Sequence, residues 1–148
     1  MKKEWDEYFL NIAEVVKTKS KDRYTQIGAV IVGRNREVLS TGYNSYPRGL
    51  NDDVEERQER PEKYYFFEHA ERNAIYNAAR IGVSTMDSVM YLTSGLPCCD
   101  CARGIINSGI KTVYCKKICT TKNPEKWVES QNKSFEMFNE CGVEVIFY

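Results

Sequence analysis

The stretch His69-Ala70-Glu71-Arg72-Asn73-Ala74-Ile75-Tyr76-Asn77-Ala78-Ala79-Arg80-Ile81 decides the fold. Its spacing predicts a helix over 69–81, with Ala70, Ala74, Ala78 and Ile81 in one narrow stripe. Alanine side chains let a helix lie close against a sheet, so this helix is expected at the centre of the molecule. Upstream, Gly28–Val32 is a short apolar, β-branched run that suits a buried strand. A second strand over 37–43 follows Gly33-Arg34-Asn35, as in a hairpin. Before the hairpin, Trp5, Phe9, Ile12, Val15 and Val16 recur at three- and four-residue steps and predict a helix over 2–20. Downstream, 89–93 reads as strand and 98–108 as a helix stopped by Gly109. Thr112–Cys115 reads as strand, 124–140 as a helix begun by Pro124 and ended before Gly142, and 143–148 as a last strand. Residues 44–49, with Pro47 and Gly49, read as loop. Residues 51–63 carry nine charges, six of them acidic, and read as a solvated, partly helical segment. The order α-β-β-α-β-α-β-α-β implies an α/β chain: a three-layer α/β/α arrangement with a mixed sheet and helices on both faces. With no repeat, linker or low-complexity tract, residues 1–148 read as a single domain.

Composition narrows the function. Among 148 residues, 21 Lys+Arg balance 21 Asp+Glu, so the formal net charge is zero. That balance argues against a protein that wraps nucleic acid or coats an anionic membrane. No apolar run approaches bilayer length. The charged start Met1-Lys2-Lys3-Glu4-Trp5 lacks the apolar core of a signal peptide, which predicts a cytoplasmic protein. There thiols stay reduced, and six cysteines then suggest a metal or a catalytic thiol before a disulfide framework. The histidine count is one, so an imidazole-bearing metal site must use His69.

Around that histidine stands His69-Ala70-Glu71, and downstream Pro97-Cys98-Cys99-Asp100-Cys101. Zinc binds imidazole nitrogen and thiolate sulfur, and a catalytic zinc takes three protein ligands plus water. His69, Cys98 and Cys101 supply those three. Cys98 and Cys101, three apart at a helix start, share a face, and the positive end of the helix dipole favours thiolate. Glu71 is the carboxylate that would move protons beside the metal. On a regular helix His69 and Glu71 would lie about 200° apart. The pair therefore works only if His69 sits at or before the first turn. The competing readings are a redox C-x-x-C, a closed structural zinc site with Cys99 as fourth ligand, and plain packing residues. The redox reading expects the thiol pair after the first strand, whereas here it follows the third.

The two segments fit H-x-E…P-C-x-x-C, the signature of zinc nucleobase deaminases. Over 20–114 the sequence resembles the deoxycytidylate (dCMP) deaminases of phages and bacteria, within the cytidine deaminase superfamily. Further pieces carry the resemblance: Ser20-Lys21-Asp22 with Ile27-Gly28-Ala29-Val30-Ile31, Gly42-Tyr43-Asn44 with Pro47-Arg48-Gly49, Arg60-Pro61-Glu62-Lys63-Tyr64, and Asn107-Ser108-Gly109-Ile110-Lys111. It implies a five-stranded mixed sheet, one catalytic Zn2+ per chain, a homo-oligomer (often a hexamer), and zinc-dependent hydrolysis of dCMP to dUMP and ammonia in pyrimidine deoxynucleotide metabolism. For a phage-encoded chain the compartment would be the host cytoplasm. The resemblance makes Asn44 and the backbone of Ala70 substrate contacts. It leaves Asn73 to hold the nucleotide or to fix the helix. Candidates for the substrate phosphate are Lys21, Arg23, Arg48 and the lysines of 111–126; the tyrosine that some relatives carry after the fourth strand is missing, with Tyr114 as a substitute. Loop 47–53, with Arg48, Asp52 and Asp53, is similar to the region through which dCTP with Mg2+ activates and dTTP inhibits. No histidine is left for a second zinc. Alternative functions are deamination of dCTP or of tRNA adenosine, and a non-enzymatic zinc-binding module.

Overall fold

A computed structural model describes residues 2–117 and 124–148. The helix α1 (Lys2–Lys17) leads into the hairpin β1 (Gly28–Val32) and β2 (Val38–Tyr43). A 3-10 turn at Glu55–Gln58 and a one-turn helix α2 (Lys63–Phe66) occupy the charged segment. Then come α3 (Ala70–Ile81), β3 (Val89–Leu92), α4 (Cys99–Asn107), β4 (Thr112–Cys115), α5 (Pro124–Cys141) and β5 (Glu144–Phe147). The elements expected from spacing are all there, β1 and β4 with the expected bounds and the others shifted by one to three residues, as frayed ends produce.

The sheet runs β2-β1-β3-β4-β5. β1 pairs antiparallel with β2 and β3, while β3–β4 and β4–β5 are parallel. The parallel half follows from the α4 and α5 crossovers, which need helices between strands. β1 is buried along its whole length because both of its faces are covered. Ala29 and Ile31 point into the cluster with Ala70, Ala74, Met90, Leu92, Ile105 and Phe138. Val30 and Val32 point the other way, to Phe9, Ala13 and Tyr91. So α1 covers one face and α3, α4 and α5 the other.

Two glycines set how closely the helices approach. A Cβ on Gly28 would lie 2.1 Å from the carbonyl oxygen of Ala13, and one on Gly42 would lie 2.3 Å from the amide nitrogen of Ala74. This contact corrects the reading of α1: Ala13 takes the inner position, and Val15 is 70% exposed. It also supports the alanine stripe of α3, though Ile81 ends outside it at 69% exposure. The expected result for Gly42→Ala is a loss of about 3 kcal/mol, or roughly 10 °C in Tm. The new methyl meets helix backbone rather than a side chain that can turn away. Thermal melting with zinc analysis checks this, since α3 carries His69 at its start; an unchanged Tm would mean that α3 is free to move off β2.

Of the remaining thiols, Cys115 is buried, Cys99 is partly exposed, and Cys141 is exposed rather than packed. Cys119 lies outside the described residues, as does the 118–123 part of the lysine run. Among the described residues no helix is long and apolar enough to cross a membrane.

Candidate metal centre and substrate cavity

Two helix starts meet at the centre. His69 is the N-cap of α3 and Cys98 the N-cap of α4; both have extended backbone and neither side chain caps its own helix. Their side chains are thereby left for another partner. The extended backbone at His69 (φ −76°, ψ 150°) also resolves the 200° problem, because the histidine precedes the helical turn that carries Glu71. His69 Nδ1 lies 3.5 Å from Cys98 Sγ and 3.4 Å from Cys101 Sγ. The three donor atoms lie within 4.8 Å of one another. Tetrahedral zinc at its usual bond lengths sets nitrogen–sulfur separations of about 3.6 Å and sulfur–sulfur separations of about 3.8 Å. The donor set fits that ion in size and in kind. Among the described residues, Cys99 is not in the cluster.

Glu71 is 4% exposed and its Oε2 lies 3.8 Å from Cys101 Sγ. Burial pushes its carboxyl above the ordinary range, against the opposing charge of His69. Burial alone would lower His69, but the Cys98 sulfur and the Glu71 charge outweigh it and raise it. Hydrogen bonding from Cys101 and His69 brings Cys98 down to about 4, while Cys101, hydrogen-bonded to Cys98 and buried, is driven up. The pocket thus brings two thiols, an imidazole and a buried carboxyl into contact. Such clusters mark functional sites.

A cavity of about 740 Å³ opens over this cluster. Asn44 is on its wall. The carboxamide of Asn44 braces the 22–27 loop: Oδ1 accepts from the Ile27 N–H at 2.8 Å, and Nδ2 donates to the Thr25 carbonyl at 2.7 Å and to Asp22 Oδ2 at 3.4 Å. Ala70 is fully buried as the first residue of α3, where its N–H has no partner inside the helix. Asn73 does not line the cavity; its Nδ2 donates to the Tyr43 carbonyl at 2.8 Å and ties α3 to β2. Of the two readings of Asn73, the geometry supports the one that fixes the helix.

Of the candidate phosphate cations, Lys21, Arg23 and Arg48 also lie off the cavity wall, as do Lys111, Lys116 and Lys117 of the lysine run. Lys21 pairs with Asp52 at 3.5 Å, and Arg23 grips Glu55 through two bonds of 2.7 and 2.6 Å. Arg48 lines a separate hollow of about 310 Å³, with Asn77 and Arg80 beside β2. Asp53 is exposed, its N–H donating to Asn51 Oδ1 at 3.0 Å. Among the described residues, the cations that do line the cavity are Arg60, Lys63 and Arg72. Lys63 meets buried Asp22 at 2.7 Å, and Arg72 meets Glu68 at 2.7 Å. Arg60 and Lys63 belong to the sequence block singled out just before His69, which was the available signal. Nothing in the sequence pointed to the cavity face of α5, where Trp127, Ser130 and Gln131 stand. The Ser130 hydroxyl accepts the Cys99 N–H at 2.8 Å, and Gln131 Nε2 donates to the Leu96 carbonyl at 2.9 Å. α5 thereby supplies from outside the cap that α4 lacks.

Comparison with known proteins agrees with this geometry. The family model described as the cytidine and deoxycytidylate deaminase zinc-binding region matches residues 3–117. The chain belongs to that family. The fold of this deaminase-family chain is that of a dCMP deaminase from the cyanophage S-TIM5, solved in complex with dCMP and dUMP. The two share 27% identity with a TM-score of 0.78, over 100% of this chain and 99% of the other. An uncharacterized deaminase in the luxG 3′ region of Aliivibrio fischeri is 40% identical over 141 residues, 95% of this chain and 91% of that one. Human deoxycytidylate deaminase is 38% identical over 115 residues, 74% of this chain and 63% of the human one, so the match spans less than two thirds of that relative. His69, Cys98 and Cys101, the three-donor cluster described above, lie within the residues that the zinc-binding family model matches.

Proposed function

We propose that the chain is a zinc-dependent hydrolase that converts dCMP to dUMP and ammonia. The observation that carries this reading is Glu71: a carboxyl buried at the floor of a nucleotide-sized cavity, in contact with a three-donor His/Cys/Cys cluster. A structural zinc site has no use for a buried carboxyl there, and it needs a fourth protein ligand. The substrate assignment is supported by the dCMP and dUMP bound to the S-TIM5 relative.

When bound, zinc supplies a Lewis acid that makes water nucleophilic near neutral pH. The protein's own part is proton handling and positioning. Glu71 accepts the proton that the water loses as its oxygen adds to C4 of cytosine. It delivers that proton to N3, then takes the second proton from the new C4 hydroxyl and passes it to the departing amine, so that ammonia leaves and the C4 carbonyl of dUMP remains. A carboxyl raised by burial is suited to both directions of transfer, because its acid and base forms lie closer in energy at neutral pH. The Ala70 N–H, unpartnered in the helix, is placed to donate to the base. Asn44 holds the 22–27 loop beside the sugar. Arg60 and Lys63, rather than Lys21, Arg23 or Arg48, are the cations placed to meet a 5′-phosphate inside the cavity. Activation by dCTP with Mg2+ and inhibition by dTTP would act through the 47–53 loop, where Asp52 and Asp53 are exposed and Arg48 lines its own hollow. The active form is a cytoplasmic homo-oligomer in this reading.

Ammonia release from dCMP, dCTP, cytidine and a tRNA anticodon stem tests the assignment. dCMP is expected to be turned over fastest. The neutral net charge and the acidic 51–63 segment disfavour the RNA. Release from the RNA alone would replace the substrate, and release from none would return the chain to a zinc-binding module.

A further inference from the structure

The cavity face of α5 has no part in the chemistry described so far, yet it is built into the site. Trp127, Ser130 and Gln131 stand at i, i+3 and i+4, so one side of the helix presents all three. Ser130 and Gln131 grip the cysteine-bearing turn on both sides of Pro97, through the Cys99 N–H and the Leu96 carbonyl. Fully buried Ser134 extends the contact, its hydroxyl donating to the Ser130 carbonyl at 3.0 Å. The position of Trp127 is therefore fixed relative to Cys98 by hydrogen bonds one turn away. Its ring meets the His69 imidazole edge to face, with centroids 6.1 Å apart and planes at 66°.

We propose that Trp127 is a substrate-positioning residue, the wall against which the pyrimidine ring lies while Glu71 moves its protons. The inference rests on the deaminase reading above. A base whose C4 stands at the open side of the donor cluster lies within a ring's width of His69, and Trp127 bounds that space. The other tyrosine and phenylalanine rings described on the cavity wall gather elsewhere: Tyr24 and Phe67 lie 5.3 and 5.6 Å from Lys63 Nζ, and Tyr64 lies 5.6 Å from the Arg60 guanidinium. Stacking on an indole face binds the flat base without taking part in bond making. It holds substrate and transition state nearly alike, so its loss moves KM more than kcat.

The chain's two tryptophans give a direct readout. Trp5 packs on Tyr8 and Phe9, across the sheet from the site, so Trp5→Phe leaves Trp127 as the only tryptophan, excited at the red edge where tyrosine does not absorb. Emission of that variant is expected to change saturably as dUMP is added. Trp127→Ala is expected to keep its zinc and its kcat within about threefold while KM for dCMP rises by about 10–100-fold. Trp127→Phe should recover most of that loss. An unmoved KM in a folded Trp127→Ala, or emission of Trp5→Phe that ignores saturating dUMP, overturns the proposal. Should the alanine variant not fold, Trp127→Phe and the emission titration decide it. The two levels fail separately. A wild-type protein that releases no ammonia from dCMP removes the deaminase reading and this inference with it. A wild type that deaminates dCMP, with a KM indifferent to Trp127, removes only the role of Trp127.

Discussion

Glu71→Gln is expected to keep zinc and lose nearly all turnover, with kcat down by about 10²–10⁴-fold. The amide matches the carboxyl in size but cannot take a proton from water or return one to the base. None of the three metal donors is touched. Burial already disfavours the charged form of Glu71, so the neutral amide should leave Tm unchanged or higher. Metal analysis, ammonia release and thermal melting on one preparation check all three statements. Full activity in this variant would remove the central assignment, whereas loss of zinc would mean that Glu71 serves the metal rather than the proton.

The second large effect is on the metal itself. Cys101→Ser should lower zinc affinity by more than about 100-fold, beyond the loss typical of residues that only support a ligand. Cys101 is fully buried, so no water replaces the missing donor at little cost, and a hydroxyl is a harder, weaker ligand than thiolate. Competition with a chromogenic chelator measures it. Cys99→Ser and Cys141→Ser serve as controls, since neither thiol joins the donor cluster. Zinc lost equally from Cys99→Ser and Cys101→Ser would revive the closed four-ligand site.

Much of this centre was legible in the chain because its parts are local. Helix starts are signalled by short-range pattern, and both His69 and Cys98 lie at such starts. The helical period alone required His69 to precede the turn of Glu71, and its extended backbone meets that requirement. The cations that line the cavity were harder. Lys21, Arg23 and Arg48 look as available as Arg60 and Lys63 in a sequence. Their partners decide the matter: Glu55 and Asp52 hold Arg23 and Lys21 outside, and the edge of β2 carries Arg48 to another hollow. Val16 packs against the core as the apolar period of α1 expects, but Val15 is exposed, because a period gives the face of a helix only to within a residue. The bare Cα of Gly28 selects Ala13 as the point of contact.

The sequence by itself determined the donor set of His69, Cys98 and Cys101, the carboxyl of Glu71 beside it, and the alternation of helices and strands. Each depends on residue chemistry and on spacings of a few residues. Only the tertiary structure decided which side chains share the cavity. Trp127 and Gln131 come from a helix some thirty residues beyond Cys98, brought back by a crossover and held by two hydrogen bonds to backbone. Backbone groups carry no residue identity, so a contact made to them leaves no mark in the sequence at the position it touches.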